Sequence, residues 1–148
     1  MNYLFKWISL LLLSLTLIAC SGTVSSVDTK GEGAGHVYII SEAIAKRLMM
    51  AAMKSEFNPK DIKELSKPNI GYSSTVQWGV DEDTIELTAL PAEGKDSSGE
   101  TVRGYVFSAK HAGTAPAAGS PTIDRLLAHI VKDAETLAST AKFSKLIE

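Results

Sequence analysis

Cysteine is nearly absent: the 148 residues contain one, Cys20. A single thiol cannot close a disulfide within the chain, so the fold rests on packing alone. Recognisable chemistry is also scarce. The sequence has no Gly-rich phosphate loop, no serine elbow of the form G-x-S-x-G and no paired metal-ligand spacing. Its histidines, His36, His111 and His129, sit in no catalytic motif. No internal repeat at solenoid periods is present. Charge is modest and mixed, 15 basic against 17 acidic side chains, and no basic run argues for a nucleic-acid partner. The one long apolar run, Trp7 to Ile18, is interrupted by Ser9, Ser14 and Thr16. It falls short of the roughly 20 apolar residues that a membrane-spanning helix takes.

What the first residues do have is an order. Met1 to Lys6 carries one basic side chain, the apolar run follows, and the small residue Ala19 stands just before Cys20. Basic start, apolar middle and small-residue end make a secretory signal peptide. Leu17-Ile18-Ala19-Cys20 resembles the lipobox of bacterial lipoproteins, with an apolar residue three before the cysteine and a small one next to it. That resemblance covers only the leader and implies no fold. It does imply cleavage before Cys20, a diacylglycerol on its thiol and an acyl chain such as palmitate on its new amino group. Several chains hold a protein at a membrane far more firmly than one. Ser21, in place of an aspartate, would favour the outer membrane, facing the periplasm, if the cell is Gram-negative.

The expected organisation is therefore a signal peptide at 1–19, a lipidated cysteine and flexible tether at 20–35, and a single α+β domain at 36–148. Ser21 to Gly35 is rich in glycine and serine without apolar periodicity, and such a coil spans roughly 20 Å. In the domain, Val37 to Ile40 is β-prone. Ser41 and Glu42 then suit the start of a helix whose stripe is Ile40, Ile44, Leu48, Ala51 and Ala52. Asn58, Pro59 and Asp61 predict a short second helix that stops before Pro68. Three strands follow by alternation: Tyr72 to Val80, Thr84 to Leu90 and Thr101 to His111. "VDED" reads as the turn between the first two, and Pro91 to Glu100 as a polar loop. Pro121 or Thr122 opens a last helix with Ile123, Leu126, Leu127, Ile130, Val131, Ala134, Leu137, Ala138 and Ala141 on its apolar stripe. These elements predict a small antiparallel three-stranded sheet covered by an N-terminal and a C-terminal helix, in two layers.

Three clusters bear on function. Met49, Met50 and Met53 could present thioethers to Cu(I), although methionines on a helix serve core packing far more often. "VDED" and "DSSGE" offer oxygens but lack the order of a calcium loop. His129 and Asp133 are one helical turn apart and lack a further ligand. Tyr72, Trp78, Tyr105 and Met50 are of the types that interfaces favour. The only site residue assigned is Cys20, for lipidation, with no catalytic residue, metal or cofactor. The reading is a membrane-anchored envelope lipoprotein, not an enzyme, whose domain binds an envelope protein or polymer in an assembly, scaffold or regulatory role. A metal- or small-ligand-binding lipoprotein is the alternative and an envelope hydrolase the third.

Overall fold

The computed structural model describes residues 26–28, 36–78, 80–113 and 116–148. The leader, Cys20 and most of the tether lie outside them. The chain runs β1 (Ser26–Asp28), β2 (His36–Tyr38), α1 (Glu42–Glu56), a 3-10 turn (Pro59–Asp61), β3 (Lys63–Glu64), β4 (Ile70–Trp78), β5 (Asp81–Lys95), β6 (Thr101–Gly113), α2 (Pro116–Leu137) and β7 (Thr140–Leu146). Three residues of the segment read as tether thus form an edge strand, β1, which pairs with Ala109 to His111 of β6.

Local chemistry explains the helix starts. Ser41 caps α1, its hydroxyl accepting the Ile44 amide at 3.3 Å, and Glu42 sits in the first turn. Asn58 accepts the amide of Lys60 in the same way, with Pro59 just behind it. Here the expected second helix is corrected to one 3-10 turn. The chain extends as β3 because Lys63 and Glu64 find partners in Ser73 and Tyr72. Glu64 also takes the ammonium of Lys46 at 2.7 Å, tying this edge to α1.

The three-stranded sheet is corrected too. The described strands form one seven-stranded sheet, entirely antiparallel, in the order β1-β6-β2-β7-β5-β4-β3, and β5 pairs with β6 as well. β5 is 15 residues long and carries straight through "DED" and "PAEGK", the pieces read as turn and loop. Their polar residues have the composition of turns, but successive side chains point to opposite faces of the strand. Ala92 is fully buried while Glu93 points the other way. The true loop is the turn at Asp96 to Glu100, where Gly99 adopts φ 83°.

At this end of the long β5–β6 hairpin the sheet closes on itself. β6 pairs with β2, β2 with β7, and β7 with Ala92 to Lys95 of β5, which completes a four-strand ring. A ring this narrow has room inside only for small side chains. Val37 fills it, fully buried, together with Ala92, Gly94, Gly104 and Ala141. A Cβ on Gly104 would stand 2.0 Å from the Tyr38 carbonyl oxygen, and one on Gly94 would stand 2.7 Å from that of Lys142. The far end of the hairpin stays open, flanked by β4 and β1.

Both helices cover one face of the sheet, consistent with a mixed α+β domain. The core joins Met49 and Met53 of α1 to Ile85, Leu87 and Ala109 of the sheet and to Ile123, Leu126 and Ile130 of α2. α1 is rotated relative to the expected stripe: Ala51 is exposed, whereas Ala45, Met49 and Met53 are buried. α2 starts at Pro116 rather than at Pro121 or Thr122, and it ends at Leu137, which is exposed. Ala141, expected on the helix, belongs to β7 and is buried in the ring. Arg125 of α2 clasps Glu56 of α1 at 2.9 Å and bridges the two helices at the open end.

Candidate functional site

Two places in the domain hold charge in a way that packing does not require. The first is at the open end, on the helix-covered face. Asp83 of β5 continues the inward series Ile85, Leu87 and Ala89, so its carboxylate is fully buried. His111 of β6 lies opposite Ile85 and points to the same side, its Nδ1 3.6 Å from the Asp83 Oδ2. Burial pushes the Asp83 carboxyl above its ordinary range, and the adjacent His111 opposes that rise. Among the described residues neither Asp83 oxygen accepts a hydrogen bond.

A buried histidine beside a carboxylate is two thirds of a hydrolytic triad, so a buried serine on the same part of the sheet, Ser74, matters. Ser74 of β4 is opposite Ile85, which puts Ile85 squarely between Ser74 and His111. Two strand spacings separate them, about 10 Å, well beyond the contact a nucleophile and its base need. The Ser74 hydroxyl instead donates to the Asp61 carbonyl at 3.2 Å. The pair therefore does not assemble into a triad with Ser74.

Asp83 has a testable signature. A carboxyl whose pKa is raised by folding keeps its proton longer in the native state, so stability falls as pH climbs from the ordinary carboxylate value through the raised one. Asp96, held below the usual range by hydrogen bonds from Ser98 and Glu100, tilts stability the opposite way at lower pH. The difference between the native chain and Asp83→Asn isolates the first effect. Melting temperatures from pH 3 upward are expected to show the native chain losing ground to the variant as pH rises, and parallel curves would contradict the buried charge.

The second place is the outer wall of the closed ring. Directly opposed residues share a face, and the register sets His36 beside Lys142 and Lys142 beside Lys95. Two positions back on β5, Glu93 is opposed by Arg103 on one side and Lys145 on the other. Arg103 Nη2 reaches Glu93 at 3.2 Å and Lys145 Nζ reaches it at 3.5 Å. Among the described residues Lys95 donates only to the Thr101 hydroxyl, at 2.6 Å, and Lys142 makes no ion pair. Four cations on this wall therefore face a single carboxylate, in a chain whose net charge is −2. Like charges directly opposite across strands destabilise a sheet. The Lys95–Lys142 pair is such a cost, uncompensated within the wall.

The other residues singled out from the sequence are scattered. Met49 and Met53 are wholly buried in the core and Met50 is packed against it, so the three do not open together to solvent. His129 and Asp133 approach to 3.4 Å on the half-exposed side of α2. Among the described residues no group of three histidine, cysteine or acidic side chains could hold a metal ion. In "DSSGE", Asp96 Oδ1 already accepts from the Ser98 amide and hydroxyl and from the Glu100 amide. Tyr72 is buried in the core, and Tyr105 is half-buried against it; the Trp78 side chain lies outside what is described. Cys20 lies outside the described residues as well.

Sequence reasoning missed both places. Asp83 carried a usable signal, since it extends the period-two series of Ile85, Leu87 and Ala89 by one step. The ring wall carried none, because its cations come from three separate strands. Comparison with protein-family models, with curated proteins and with solved structures finds no match.

Proposed function

We propose that this chain is a lipid-anchored lipoprotein of the bacterial envelope whose domain is a non-catalytic binding module, with the ring wall as its contact surface. The anchor rests on Leu17-Ile18-Ala19-Cys20 and the leader before it. The binding half rests on one observation, the uncompensated pair Lys142 and Lys95, with His36 next to it in the register, carried on a closed ring. Charge arranged at a cost to stability marks surfaces kept for recognition. Tight backbone closure around Val37 fixes the spacing of the strands that carry the row, so binding has only the side chains to order.

The anchor is tested directly. Cys20→Ser is expected to abolish acylation, leave the leader uncleaved or the product unanchored, and shift the protein out of the membrane fraction. Intact-mass measurement on the native protein should show the added acyl mass. A native chain without acyl mass, together with a variant that still fractionates with membranes, would refute the anchor.

A further inference from the structure

We infer that the ring wall binds a carboxylate-bearing glycan–peptide polymer of the cell wall, held away from the membrane that carries the lipid. The inference rests on the anchored-lipoprotein reading for its geometry and on the register of the sheet for its chemistry. β1 starts at Ser26 opposite His111, near the open end of the β5–β6 hairpin. Residues 21–25 separate it from Cys20, and a chain of that length reaches at most about 20 Å. The lipid therefore holds the open end near the bilayer. β5 then runs from Asp83 at that end to Lys95 at the ring, a rise of up to about 40 Å. Lys95, Lys142 and Lys145 are carried out of range of the headgroups beside the anchor, since charge attraction fades within about 8 Å at physiological salt.

The chemistry of the wall selects the partner. His36, Lys142 and Lys95 stand in a row across three strands, spaced about 4.8 Å apart. Lys142 and Lys95 of that row, with Lys145 and Arg103 beside them, give the wall a net positive charge that complements an anionic polymer. Arg103 and Lys145 both hold the carboxylate of Glu93, so the wall already accommodates a carboxylate between its cations. A folded protein partner would need a buried aromatic or aliphatic anchor at the centre of the patch. The row itself offers cations, Thr101 and Glu93 instead; Phe143 and Leu146 pair with Gly94 and Ala92, on the other side of β7 from the lysines, and are partly exposed there.

The test uses the full lipidated chain in detergent, sedimented with purified cell-wall sacculi. At roughly 50 mM salt the native chain is expected to sediment, and raising salt to roughly 300 mM should release it, as screening of exposed charge requires. The double variant Lys95→Gln, Lys142→Gln should bind about tenfold more weakly, while Lys54→Gln on α1 should bind as the native chain does. Lys142→Glu supplies the sharper arm: it places opposite charges across the strands, so its melting temperature should rise while sacculus binding falls. Equal binding by the native chain and the double variant would overturn the inference. So would a native chain that sediments with DNA or polyphosphate but leaves sacculi behind. Acyl mass on Cys20, measured on the same preparation, separates the two readings, since an unacylated chain that binds through the lysines would remove the anchor and leave the polymer assignment standing.

Discussion

Gly104→Ala is expected to cost about 3 kcal/mol or more in a denaturant melt, although it adds one methyl group. The added carbon would stand 2.0 Å from the Tyr38 carbonyl oxygen and 2.9 Å from a methyl of Val37. A flexible side chain could yield to it, but a backbone carbonyl in a paired strand cannot. β2 would have to move away from β6, and β2 is a member of the closed ring. Opening the ring would expose Val37 and Ala141, both buried, and would loosen the wall that carries Lys95 and Lys142. Gly99→Ala is the control, since its added carbon meets nothing within 4 Å, although the residue's φ of 83° keeps some strain in any side chain there. A Gly104→Ala melt within error of the native one would mean that the ring is not closed as described.

How far the sequence revealed this fold can be traced through particular residues. Ser41 and Asn58 were legible because a cap is a local matter, one side chain and one amide a few residues away. The apolar face of α2 was legible for a similar reason: Ile123, Leu126, Leu127, Ile130 and Ala134 repeat at helical spacing over many turns. The end of β5 was not. Pro91 to Lys95 has the composition of a loop, and it is a strand only because β6 and β7 flank it on both sides. β7 was concealed in the same manner, since "TAKFSKL" at 140–146 is mostly exposed and has one deeply buried residue, Ala141. Its identity as a strand depends on β2 and β5, which precede it by a hundred and by fifty residues or so. Tertiary pairing overrode local preference there.

The same distinction separates the two charged places. Asp83 could have been found by extending an alternation already seen on its own strand. Lys95, Arg103, Lys142 and Lys145 could not, for the spacing that joins them is across strands and is set by the turn at Asp96 to Glu100 and by the closure of the ring. An absence of basic runs along the chain is therefore compatible with a basic surface on the fold.

The helix-covered core gives the second large effect. Ile130 is fully buried among α1, α2 and the sheet, and Leu126 one turn earlier is equally enclosed. Truncating either to alanine removes buried methylenes and leaves a cavity that two helices and a twisted sheet can collapse only in part, so a loss of roughly 2 to 5 kcal/mol is expected for each. Lys132→Ala, on the exposed side of the same helix, should cost about 0.5 kcal/mol or less. Because Leu126 and Ile130 are in one cluster, the double variant should depart from the sum of the single losses, the neighbouring cavities being shared. Binding by the ring wall should respond differently. Around Lys95 and Lys142 the ring closes through Val37, Gly94 and Gly104, none of which belongs to the cluster around Ile130. Below the melting temperature of the Ile130→Ala chain, its sacculus binding should match that of the native protein. Loss of binding in a chain still folded by circular dichroism would show that the wall and the helix core are coupled, and would move the contact surface toward α2.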